Sequence, residues 1–228
     1  MALAVIAMIA VVALIVGPSM WVKAIIARNS HPRADFPGTG GEFARHVLDG
    51  MGLKGVKVEE TQLGDHYDPE AKAVRLLPQH HGGTSLAAVV IAAHEVGHAM
   101  QDATGYAPLH HRTRLAKQAR WITMAGNVVM VTAPLIMIAA RAPHVLVLQL
   151  VAGMAIIGVT VLMHAVTLPV EFDASFNRAL PLLRAGRYIP EADMAEARRL
   201  LRAAACTYVA SAAMSMIDVL RWLRWLRI

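Results

Sequence analysis

The chain has 228 residues, 56% of them hydrophobic and 17% charged, with a mean hydropathy of +0.46. Soluble domains carry about 25% charged residues, so an ordinary cytosolic globule is excluded. Its 22 Lys and Arg against 16 Asp and Glu leave a net charge of +6, which suits nucleic acid or an anionic membrane surface; the long uncharged apolar runs decide for the membrane and against nucleic acid.

Residues 1–22 carry no charged side chain, and about 20 such residues cross a hydrocarbon core as a helix. No basic segment precedes the run, and the stretch from Gly17 to Trp21 lacks a small-residue cleavage pattern. It therefore reads as a retained transmembrane helix and not as a signal peptide.

Residues 23–120 form the polar region, expected to be a small α+β module. Glycines at 38–41 and 50–55 punctuate loops around a short helix over Glu42–Leu48. Val56–Glu60 alternates like a strand, and His66–Leu77 reads as two short strands around a turn at Pro69. The strand ending at Val74–Leu77 is a candidate for pairing with an extended substrate, or is a plain sheet edge. His80 and His81 precede Gly82 and Gly83 and read as an ordinary loop. A helix follows from about Ser85 to Gln101.

On that helix stands His94-Glu95-Val96-Gly97-His98. Residues four apart share a helix face, so two imidazoles at this spacing can bind one metal ion, with Glu95 directed towards the open coordination position. Leu86–Ala93 is wholly apolar, so the motif sits where a helix is being buried, and burying it without partners would be costly. With a single cysteine, Cys206, a disulfide and a thiolate zinc site are both excluded. The pattern in which a third His follows closely fails, because Gln101 and Thr104 occupy its Gly and His positions. A catalytic zinc takes three protein ligands, and a distant acid is needed.

Two further apolar runs follow. Residues 121–141 and 142–170 read as transmembrane helices 2 and 3, joined by a tight turn around Arg141–His144, so that both ends return to one side. Twelve of the 22 basic residues lie in 23–120 and six in 171–202, which puts both segments in the cytoplasm and the turn outside. Glu171 is the first acid after the hairpin and the leading third ligand; the competing role is an interface carboxylate paired with a base such as Arg178. Asp173 and Ser175 are available behind it. His164 lies two turns earlier, roughly 10 Å along the axis, and reads as a buried, hydrogen-bonded histidine. Residues 171–228 complete the site and end in a C-terminal helix, either a fourth span or partly embedded, with Trp222 and Trp225 suited to the interface.

The stretches Ala92–Gln101, Gly105–Leu109, Leu168–Ser175 and Thr207–Val209, in that order, resemble the YugP-type membrane zinc metallopeptidases. The Glu-Phe-x-Ala element at Glu171 is also similar to that of the HtpX-type and CAAX-prenyl endopeptidases, where an acid follows four residues after the glutamate; here Ser175 stands there. The resemblance implies that His94, His98 and Glu171 bind Zn2+ and that Glu95 is the catalytic base. Tyr208, Tyr106, His110 and His111 are candidate oxyanion donors. The expected protein is thus a mainly α integral membrane protein of the plasma membrane. It has three or four transmembrane helices and a cytoplasmic zincin-like module, and it cleaves proteins or peptides, including membrane proteins. A scaffold with a structural zinc and an intramembrane-cleaving protease are the alternatives. Glu95 separates the first from an enzyme, and the second needs the His94 helix to be a full span.

Overall fold

The computed structural model describes residues 17, 20–141 and 145–205. The anchor expected over 1–22, apart from its helical end at 20–22, lies outside the described residues, as do the turn residues 142–144 and the C-terminal helix beyond 205 with Tyr208. The chain divides into two compact units. One comprises the described residues up to Ala107 together with 169–205, and the other comprises 108–141 and 145–168.

In the first unit, helix α1 over 20–28 leads to α2, Gly40–Gly50. Thr39 and Glu42 cap α2 reciprocally, Glu42 N–H donating to Thr39 Oγ1 at 3.2 Å and Thr39 N–H to the Glu42 carboxylate at 2.8 Å. The helix is longer than the expected Glu42–Leu48, because Gly40 and Gly41 belong to it. A Cβ on Gly40 would stand 2.4 Å from the His80 carbonyl oxygen and 2.8 Å from that of Ala88, so these glycines allow close backbone approach.

Strands β1 (Lys57–Glu60), β2 (His66–Asp68) and β3 (Ala73–Leu76) form a sheet in the order β1-β3-β2. β3 pairs parallel with β1, Val58 opposite Val74, and antiparallel with β2, Tyr67 opposite Val74. Its position in the middle buries Ala73, Val74 and Leu76 and corrects the expectation for Val74–Leu77: both edges of β3 are taken, and β2 is the sheet edge on that side. A short helix α3, Pro78–His81, stands where a loop was expected, with Pro78 in its first turn.

Helix α4, Leu86–Ala103, is capped by Ser85, whose Oγ accepts the Ala88 N–H at 3.1 Å. It is apolar nearly all round because it is the centre of this unit: α2, the sheet, α3 and the segment after Glu171 all pack on it. Its buried Val89, Val90, Ala92, Ala93 and Val96 join Val47, Leu48, Val74 and Leu76 from α2 and β3 in one core.

The second unit is built from α5 (Ala107–Ala140) after its first residue and from α6 (Val145–Phe172) as far as Leu168, the end of α6 with Glu171 belonging to the first unit. Gly126 lies against the side chain of Ile156 and Gly153 near Met130 Sδ, so the two helices pack antiparallel through small residues. Both are long and apolar enough to cross a membrane, and only 11% of each apolar window is buried. Trp121, Val131, Leu135, Ile138, Val147 and Val151 all point outward. A soluble core helix would bury such residues. α5 begins well before the expected start at 121, since the basic stretch Arg112–Arg120 continues the helix without adding to the apolar run. His164 is half-buried and has no hydrogen-bond partner among the described residues, unlike the enclosed, bonded histidine expected.

After α6 the chain continues helically, as expected for Leu168–Ser175, but widens into a π-helical turn over Asp173–Ala179. Helix α7 (Leu180–Ala185), a 3₁₀ turn (Glu191–Asp193) and α8 over 194–205 complete the first unit.

Candidate metal centre

The helical periods of α4 and α6 bring three side chains together from 77 positions apart. His94 Nε2 stands 3.2 Å from Glu171 Oε2, and His98 Nε2 stands 3.5 Å from the same oxygen. The two imidazoles meet edge to face with centroids 4.7 Å apart. All three residues are buried, and their ligand-type atoms lie within 4.8 Å of one another.

The surroundings fix which ring nitrogen is free. His98 Nδ1 is 2.9 Å from Gln101 Oε1. The Gln101 amide nitrogen donates to the Val170 carbonyl at 2.8 Å and to Asp173 Oδ2 at 2.9 Å, so its orientation is set and its oxygen can only accept. Nδ1 of His98 is therefore the N–H, and Nε2 is the lone-pair nitrogen. Ser175 Oγ, 3.1 Å from His94 Nδ1, holds the other ring by the same nitrogen, as either donor or acceptor. Two ring nitrogens and a carboxylate oxygen pointed at one another repel unless a cation or shared protons lie between them. Zn–N and Zn–O bonds of about 2.0–2.1 Å in tetrahedral array separate the ligand atoms by about 3.3 Å, which matches this spacing. Among the described residues this is the one group of three or more His, Cys, Asp or Glu side chains that could hold a metal ion.

The surrounding polar groups complete the centre. Arg178 donates to Asp173 at 2.7 Å, and its guanidinium lies over the Tyr106 ring at 5.5 Å. Arg178 thus pairs with Asp173 and not with Glu171, and the Tyr106 ring face meets its guanidinium. The π-helical turn carries Asp173, Ser175 and Arg178 together, and its backbone is pressed on α4: a Cβ on Gly97 would lie 2.7 Å from the Ala174 carbonyl oxygen. Such widened turns gather at functional sites.

Glu95 is buried at 5% exposure beside His94. Burial pushes its carboxyl up to about 7, Glu171 and Asp65 add to the rise, and His94 and a hydrogen bond from the Tyr67 backbone N–H oppose it. Tyr67 is the middle residue of β2, so the sheet edge runs past Glu95. The Tyr67 hydroxyl bonds Asp102 at 2.6 Å and Lys72 Nζ reaches the same carboxylate at 2.5 Å, tying the β2–β3 hairpin to the end of α4. His110 and His111 are exposed on α5 in the second unit.

Of the residues singled out in the sequence, the structure brings His94, His98 and Glu171 together, with Glu95, Asp173 and Ser175 around them. Gln101 stands out in the sequence only as a departure from another pattern, although its place three residues after His98 puts it on the same helix face.

A family model described as "Putative neutral zinc metallopeptidase" matches residues 4–227. The chain belongs to that family. It is also 35% identical over 212 residues to "Putative membrane protease YugP" of Bacillus subtilis (strain 168), covering 90% of each chain. No solved structure matches it. The chain is thus a member of a zinc peptidase family with a membrane protease as relative, and its buried His94, His98 and Glu171 form a group that could hold a metal ion.

Proposed function

We propose that the protein is a membrane-anchored zinc endopeptidase acting at the cytoplasmic face of the plasma membrane, with His94, His98 and Glu171 as zinc ligands and Glu95 as general base. The observation that carries this is the buried trio of acceptor atoms, each imidazole tied through Nδ1 so that Nε2 is left for the ion. When bound, zinc lowers the pKa of a water and polarises a peptide carbonyl. Glu95, held near neutrality by burial, takes the proton from the attacking water and returns it to the departing amine. A peptide laid along the open edge of β2 passes Glu95 and is held through its backbone, which tolerates many sequences.

The membrane part of this reading comprises transmembrane helices 1 (1–22), 2 (121–141) and 3 (142–170), with a zincin-like module over 23–120 and a helical completion over 171–228. The basic residues concentrated in 23–120 and 171–202 support a cytoplasmic site. Its partners are the bilayer and protein or peptide substrates, membrane proteins among them. A structural zinc scaffold is disfavoured, since such sites are closed by four ligands and have no use for a buried acid beside three. An intramembrane protease is disfavoured because α4 is packed inside its own module.

The test uses the purified full-length chain in detergent. One zinc per chain and cleavage of an unfolded model protein are expected. Glu95→Gln should keep the metal and lose the cleavage, while Glu171→Ala should lose both. A wild type without zinc, or a Glu95→Gln variant as fast as wild type, would sink the reading.

A further inference from the structure

Between Asp102 and Glu171 the chain contains no Asp or Glu. The second unit therefore holds no carboxylate of its own, yet the start of α5 carries Arg112, Arg114, Lys117 and Arg120. A helix face that serves only for solvation mixes both signs. Arg114, Lys117 and Arg120 are exposed and follow one another at steps of three, which makes them neighbours on one side of the helix. Like charges so placed disfavour the helix, and an anion shared among them stabilises it. Trp121 stands four residues after Lys117, and Met124, Val128 and Val131 carry the same exposed side onward as an apolar face.

The rise of the helix sets the depth of these groups. The 34 residues of α5 span about 51 Å, while a hydrocarbon core is about 30 Å thick. The twenty residues from Trp121 to Ala140 fill that core, and 107–120 project beyond it. The polar layer on each side of a bilayer is about 5–8 Å deep, which takes in Arg120 and Lys117. Arg114, about 10 Å before Trp121, lies beyond that layer by less than the Debye length of about 8 Å. His110, about 16 Å out, is beyond both.

We propose that the side of α5 bearing Arg114, Lys117 and Arg120 binds the headgroup phosphate of an anionic phospholipid, whose acyl chains run down the exposed face below Trp121. An acidic soluble partner would meet the cations but not the apolar face that continues from them. The inference rests on the membrane part of the proposed function and is independent of the chemistry at His94.

The full-length protein in detergent is titrated with phosphatidylglycerol or with phosphatidylcholine of the same acyl chains, and lipid bound per chain is counted by native mass spectrometry. Each cation at the surface contributes about fivefold, so the three together should favour the anionic lipid by about a hundredfold. Arg114→Gln and Arg120→Gln should each lower that preference by about fivefold, and the double variant should keep about fivefold. Phosphatidylcholine binding and zinc content should not change in any of them. Arg184→Gln, which removes an exposed arginine from the first unit, should leave the preference as it is. No preference in the wild type, an unaltered preference in the double variant, or an equal fall in Arg184→Gln overturns the proposal. Displacement of the lipid by excess inorganic phosphate also overturns it, since the site would then be one for a free anion. A chain that stays in solution once detergent is withdrawn overturns the membrane reading and this inference together.

Discussion

Ser175 Oγ lies 3.1 Å from His94 Nδ1, a contact between residues 81 positions apart. The hydroxyl stands where similar membrane endopeptidases carry an acid, and its contact with Nδ1 holds the ring with Nε2 towards Glu171. Ser175 is fully buried, so no water replaces it easily. Ser175→Ala should weaken zinc binding by roughly tenfold or more while leaving the fold intact. Competition against a calibrated chelator reads the affinity; an unchanged value would show that the hydroxyl does not orient His94.

Gln101 holds more of the centre than Ser175, because one amide bonds His98, the Val170 carbonyl and Asp173. Truncating it strands a buried carbonyl and an imidazole N–H, and each unsatisfied group costs about 1–3 kcal/mol. Gln101→Leu should lower the thermal midpoint of the zinc-free protein and weaken zinc binding, and both effects are measured on the same preparation. Loss of zinc affinity without loss of stability would mean that the Val170 bond contributes nothing to holding the segment before Glu171 on α4.

The sequence shows the four principal residues because their chemistry is written locally. His94, Glu95 and His98 lie within five positions, and Glu171 stands out as the first acid after a long uncharged run. The strands around Pro69 and the helix start near Ser85 are equally local. What could not be read is what depends on neighbours distant in sequence. Gly40 looks like loop punctuation until His80 and Ala88 press on it. β3 looks like an edge until β1 and β2 flank it. His80 looks like loop until Asp65, 15 positions back, hydrogen-bonds its Nδ1. The π-helical turn carries no motif of its own; it lies where the Ala174 backbone crowds against Gly97 of α4.

That crowding makes Gly97 a sensitive position. A Cβ there would stand 2.7 Å from the Ala174 carbonyl oxygen, a backbone atom that cannot swing away. Gly97→Ala should destabilise the first unit by about 1–3 kcal/mol and lower zinc affinity by pushing the Glu171 segment off α4. Gly126→Ala in the second unit is the control: its nearest neighbours are the side-chain atoms of Ile156, which can turn aside, and little change is expected. Equal thermal midpoints for the two variants would contradict the close packing of α4 on the π-helical turn.

Glu95 gives the metal-free protein a pH dependence with a definite sign. Burial raises its carboxyl from 4.5 to about 7 in the folded chain, so between these values the native state holds a proton that the unfolded state has released. Stability from this group is full below about 4.5 and falls as pH rises towards 7. At 1.36 kcal/mol per unit the loss approaches about 3 kcal/mol. Glu95→Gln removes the ionisation and should therefore gain on wild type as pH is raised from 5 to 8, both proteins being stripped of zinc. Denaturant titrations in detergent at the two pH values measure the difference. A gap between variant and wild type that stays constant with pH would mean that Glu95 is ionised throughout and that its proton is not held by the fold.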